Sequence, residues 1–166
     1  YHSIPILIIL LTGITACKHQ ARLGHAEEIP DSLITNVNGS GLQLEIILKK
    51  GDKHNHPTFA FWAEDTEGNY IQTLFVTRYI ATGIYGHGDA GEGEWKRREG
   101  PAERPAALPY WIHKRNIKKP NGSLLPDAEH PVPDAYTGAT PQNSFMLKAK
   151  TDKKIQGKFR LLLEIN

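Results

Sequence analysis

Leu42-Gln43-Leu44-Glu45-Ile46 alternates apolar and polar residues, a period of two that marks a strand with one buried face. The same signature returns near the end of the chain. Ser144 to Lys150 alternates through Phe145, Leu147 and Ala149, and Lys158 to Ile165 places Phe159, Leu161, Leu163 and Ile165 on one side. Between these lies an aromatic-rich run, Thr58-Phe59-Ala60-Phe61-Trp62-Ala63, and a second run, Tyr70 to Thr77. Glu64 to Asn69 joins them with turn residues, which predicts a hairpin. Asp152 to Gly157 reads as a second hairpin loop between the last two strands. No stretch sustains a 3.6 period with caps, so the pattern predicts an all-β fold, packed as an antiparallel β-sandwich.

Residues 83–133 break this rhythm. Gly86, Gly88, Gly91, Gly93 and Gly100 fall there, with prolines from Pro101 to Pro133. A segment of that length without obvious elements is a functional insertion or a disordered one. Trp95, Tyr110 and Trp111 argue that it folds back onto the sandwich.

The first forty residues have a different character. Ile4 to Leu11 is too short for a spanning helix, which needs ~20 apolar residues, but suits the apolar region of a signal peptide. Ile14-Thr15-Ala16-Cys17 resembles a bacterial lipobox, which implies lipidation of Cys17. The expected organisation is a signal peptide over 1–16, a lipidated Cys17 with a tether over 17–40, and the sandwich over 41–166. The implied place is the bacterial envelope, exported and membrane-anchored.

Composition narrows the field of functions. Lys and Arg total 20 against 18 Asp and Glu, for a net charge of +2. That balance is too mild to argue for nucleic acid. Lys96-Arg97-Arg98, His113-Lys114-Arg115 and Lys118-Lys119 read first as solvated loop charges. The single cysteine, Cys17, excludes an internal disulfide. There is no nucleophile elbow and no phosphate loop opening a helix, and Ser, His and Asp show no triad spacing, so the chain reads as non-catalytic.

The ordered set "HPTFAFWAEDTEGNYIQTLFVTRYIATG", Trp95, "RPAALPYWIHKR" and "PDAYTGATP" resembles the bacterial family called domain of unknown function 2271, over about residues 42–166. The resemblance implies a small exported or lipid-anchored protein with an immunoglobulin-like β-sandwich. It also implies neighbours: flavin transferases and membrane redox proteins. The family has no established activity.

Three sets of residues carry candidate chemistry. Asp134-Ala135-Tyr136-Thr137-Gly138-Ala139-Thr140 resembles the acceptor sequence of bacterial covalent flavinylation. There a magnesium-dependent transferase moves FMN from FAD onto the last hydroxyl, here that of Thr140. Asp134, Thr137, Gly138 and Ala139 would be recognised, Gly138 and Ala139 allowing close approach. Known acceptors usually carry an aliphatic or hydroxyl residue next, where this chain has Pro141. The plainer reading is a turn, with an Asx-type bond from Asp134 and a positive φ at Gly138. The second set is His54, His56, His87, His113 and His130, none at the spacing of a known metal motif, so no metal site is assigned. The third is Trp95, Arg104, Tyr110, Trp111, His113 and Arg115. These could form an exposed patch for a flat anionic ligand, or anchor the insertion in the core. Two functions follow: an accessory or binding module beside redox or uptake machinery, or an electron carrier with FMN on Thr140.

Overall fold

The computed structural model describes residues 31–166. The apolar N-terminal run and Cys17 lie outside the described residues. The strands are β1 (Asp31–Thr35), β2 (Gln43–Leu48), β3 (Phe59–Asp65), β4 (Tyr70–Thr77), β5 (Ile84–Tyr85), β6 (Asp89–Gly91), β7 (Glu94–Trp95), β8 (Gly100–Pro101), β9 (Thr137–Gly138), β10 (Phe145–Lys150) and β11 (Phe159–Ile165). Two short helices, α1 (Arg78–Thr82) and α2 (Pro109–Arg115), and a 3-10 turn at Asp134–Tyr136 complete the described elements.

Two sheets face each other as in a β-sandwich, with orders β1-β10-β2 and β11-β3-β4-β9. Phe59, Phe61, Leu74, Phe75, Phe145, Leu147 and Ala149 fill the space between them. Each fully buried Phe or Leu contributes roughly 1.5–3 kcal/mol relative to exposure. The β3–β4 pairing passes from Phe61↔Phe75 to Trp62↔Thr73 and skips Leu74. That bulge turns both Leu74 and Phe75 into the inter-sheet core.

The expectation of an all-β, all-antiparallel fold needs correction. β1 runs parallel to β10 and β9 runs parallel to β4. The helices are only five and seven residues long, too short to display a helical period. Pro109 opens α2 with its preset φ, and left-handed residues close both helices, Gly83 (φ 64) and Asn116 (φ 51). The fold is therefore dominated by mixed sheets with two short helices.

Two boundaries also move. β1 lies in the stretch expected to be tether. Asp152–Gly157 is no hairpin loop, because β10 belongs to one sheet and β11 to the other. The Glu64–Asn69 connection does close a hairpin. Asp65 accepts the amides of Glu67 and Asn69 at 2.9 and 2.8 Å, and Gly68 adopts φ 91.

Helix α1 and the Gly/Pro-rich insertion that follows it form a third layer. Ile80, Ala81, Tyr85, Leu108, Trp111, Ile112 and Val132 pack on Ala60, Trp62 and Val76, the outer face of the four-stranded sheet. Both faces of that sheet are covered, so β3 is buried from Phe59 to Glu64. This is why the aromatic run shows no alternation of polar residues. Buried Glu64 takes the Trp62 indole N–H at 2.8 Å and lies 3.4 Å from Arg160 and 3.6 Å from Lys114.

Candidate functional site

The acceptor-like segment is held firmly at one end and open at the other. Tyr136 donates its hydroxyl to both oxygens of Asp152, at 2.6 and 2.7 Å. Burial first, and then the Asp152 carboxylate, push the Tyr136 phenol well above the ordinary tyrosine range. The Asn36 amide donates to the Ala135 carbonyl at 2.7 Å. Thr137 and Gly138 pair with Val76 and Thr77 at the edge of the four-stranded sheet.

Both details of the expected turn differ. Thr137 Oγ1 closes the bend by donating to the Asp134 carbonyl at 3.3 Å, while the Asp134 carboxylate is exposed without a partner among the described residues. Gly138 has no positive φ. A Cβ there would lie 3.0 Å from both Leu33 and Phe75, so the glycine is explained by close packing of sheet on sheet. Beyond it the chain leaves the sheet. Ala139 is exposed, and Thr140 is half-buried. The Thr140 carbonyl accepts from Gln142 at 3.2 Å, but its hydroxyl has no hydrogen-bond partner among the described residues.

Ala139 and Thr140 border a groove of about 880 Å³. Its wall continues through Tyr79 and Ile80 of α1, Tyr85 of β5, then His87, Arg104 and Thr58. Tyr79 and Tyr85 stack with ring centroids 6.3 Å apart and 20° between planes. The Arg104 guanidinium carbon lies 4.2 Å from the Tyr85 ring centre and 5.0 Å from that of Trp95. Burial raises the Tyr85 phenol, against the pull of the Arg104 cation. Short strands set this geometry. β5 pairs with β8 and β6 with β7, and a Cβ on Gly88 would sit 2.8 Å from Gly100 Cα. That close backbone approach holds the Trp95 hairpin beside Arg104.

Several polar groups along the groove lack partners. Arg104 Nε and Thr58 Oγ1 are inaccessible and unpaired among the described residues. The remaining Arg104 bond, to the His87 carbonyl, is long at 3.4 Å. His56 borders the same groove with a strained φ of 45°. No Asp or Glu side chain lines the groove among the described residues.

The six residues of the predicted ligand patch separate. Trp95 and Arg104 meet beside the groove, in an adjoining hollow that His87 also lines. Trp111 is fully buried and donates its indole N–H to Thr73 at 3.0 Å, so it belongs to the core. Tyr110 is exposed and packs on Trp62 with centroids 5.8 Å apart. His113 is exposed on α2, and Arg115 borders a hollow of about 120 Å³ beside Lys119 and His130. Lys119 is already paired there with Asp127 at 2.6 Å. His54 and His56 sit in a loop. Among the described residues no three His, Cys, Asp or Glu side chains converge to hold a metal ion. Tyr79, Tyr85 and Thr58 escaped the sequence reading. Their one signal was proximity to the hairpin, since only the third layer brings them to Thr140.

Comparison of the chain with protein-family models, with curated proteins and with solved structures finds no match. Among the described residues no helix is long and apolar enough to cross a membrane.

Proposed function

We propose that the protein is a lipid-anchored binding module of a bacterial envelope, non-catalytic itself, that serves neighbouring redox or uptake machinery through the groove at Thr140. The observation that carries this reading is the wall of that groove: a guanidinium and aromatic side chains, with no Asp or Glu side chain among the described residues. Sites for small ligands are concave, mostly apolar and furnished with a few convergent polar groups. The lipobox-like Ile14-Thr15-Ala16-Cys17 supports export and anchoring. Membership of the domain of unknown function 2271 family, and an immunoglobulin-like arrangement of the sandwich, rest on the quoted sequence motifs.

A second reading is favoured by one further observation, the hydroxyl of Thr140 at the groove's edge, which has no partner among the described residues. Here FMN is esterified to Thr140 and the protein carries electrons between envelope partners. A flavin transferase would form the Oγ–P bond as the P–O–P bond of FAD breaks. AMP leaves with the bonding electron pair, and the hydroxyl proton passes to the transferase. The exposed Asp134 carboxylate suits recognition by such an enzyme. Gly138 adds no support, because packing alone explains it.

Both readings meet in one experiment. The full chain is expressed in bacteria with an FMN transferase, cells are fractionated, and denatured bands are inspected for flavin fluorescence. The carrier reading expects a fluorescent band, and the anchor places the protein in the membrane fraction. Cys17→Ala should move it to the soluble fraction, and Thr140→Ala should darken the band. A dark wild-type band sinks the carrier reading, and a Cys17→Ala protein that stays with membranes sinks the anchor.

A further inference from the structure

Arg104 is the charged side chain of the groove, and its surroundings among the described residues do not account for it. A guanidinium is strongly solvated in water, and withdrawing part of it is costly unless a partner replaces that solvation. Here two aromatic rings cover it at 4.2 and 5.0 Å, and no Asp or Glu among the described residues forms an ion pair with it. Cation–π contact offsets part of the cost. It leaves the in-plane donors poorly met among the described residues: Nε is inaccessible and unpaired, and one terminal nitrogen, Nη2, has only a 3.4 Å bond to the His87 carbonyl. Unpaired buried polar atoms are rare in native proteins and call for an explanation.

The neighbouring groups lean the same way. The Thr140 hydroxyl has no partner among the described residues, and His87 and His56 border the same space. A planar fork of N–H donors beside hydroxyls and imidazoles matches an oxyanion with several oxygens better than a single carbonyl. Tyr79 lines the groove and is 45% exposed, and Trp95, 53% exposed, lines an adjoining hollow of about 500 Å³ that shares His87 and Arg104 with it. A volume of about 880 Å³ admits a ring system together with a phosphorylated side chain.

We infer that the groove is a non-covalent site for a mononucleotide, a planar heteroaromatic ring carrying one phosphate, with Arg104 receiving the phosphate and Trp95 or Tyr79 stacking the ring. This inference rests on the groove as the working site and is independent of any modification of Thr140. The phosphate takes the terminal N–H donors of Arg104 while the rings continue to cover its faces.

The test uses the full chain produced without a transferase, titrated with FMN and AMP and with their phosphate-free counterparts, riboflavin and adenosine. Flavin binding is read by quenching of flavin fluorescence, adenine binding by calorimetry. At least one phosphorylated ligand is expected to bind tenfold or more tightly than its counterpart. Arg104→Met should remove most of that difference, Arg104→Lys should keep part of it, and Thr140→Ala should leave it intact. Thermal melts establish that each variant is folded, and the wild-type comparison needs no variant at all. Equal binding of a ring with and without its phosphate, or discrimination that survives Arg104→Met, overturns the inference while leaving the groove as a ligand site. Failure of all four ligands to bind overturns it together with the groove reading.

Discussion

The Tyr136 hydroxyl ties the acceptor-like segment to the connection between β10 and β11. Its partner, Asp152, also accepts the Asn36 side-chain amide at 2.9 Å, and the Asp152 backbone N–H donates to Gln72 at 2.9 Å. One residue, through its carboxylate and its backbone amide, therefore joins four parts of the fold. Removing the hydroxyl in Tyr136→Phe should cost about 1 kcal/mol, the net worth of an ordinary hydrogen bond. The pH dependence has a definite sign. The folded phenol is held above its ordinary value, so its contribution is complete below the unfolded value of about 10. It is lost as pH rises from there through the folded value. Denaturant melts should show a constant gap between wild type and Tyr136→Phe from neutral pH to about 10, narrowing above it. A gap that widens in alkali would contradict the assignment. None of this was legible at Tyr136 itself, because Asp152 lies sixteen residues away and its approach depends on topology.

Helix α2 is too short to hold its own first turn, and a strand supplies what it lacks. Leu108 at its N-cap has no side-chain acceptor to offer. Glu164 of β11 accepts the Tyr110 and Trp111 amides instead, at 3.1 and 2.7 Å. Losing a side-chain N-cap costs about 1 kcal/mol. Glu164→Ala should therefore lower the melting temperature by about 3 °C, and amide exchange should quicken within Pro109–Arg115 before it does in β3 or β4. Glu164→Gln should recover part of the loss, and unchanged exchange in α2 would refute the capping role. The same distinction decides what the sequence revealed at this scale. The strands at 43–48, 70–77, 145–150 and 159–165 were legible because each carries its own period or turn boundaries. Their partners were not. Alternation says nothing of which sheet a strand joins, so the crossover after β10 read as a hairpin. β1 was hidden for a related reason: its five residues lie next to turn-rich sequence and gain their order from β10.

Across the whole molecule, the insertion matters most, because with α1 it turns a two-layer sandwich into three layers and creates the groove. The sequence singled out Trp95, Arg104 and Thr140, and the structure places all three at or beside that groove. It also singled out Trp111, which the third layer buries completely. Aromatic and basic residues close in sequence look alike before the chain is folded. Which of them reaches solvent depends on Trp62 and Val76, far upstream, being free to receive a partner on the sheet's outer face. Two candidate surfaces therefore compete directly: the groove between Tyr85, Arg104 and Thr140, and the exposed side of α2 with Tyr110 and His113. Hydrogen exchange of the full chain with and without FMN separates them, since a bound ligand slows local opening where it sits. The account predicts slowed exchange over residues 84–88, 104–107 and 139–142, with α2 unchanged; protection confined to α2, or none anywhere, would contradict it.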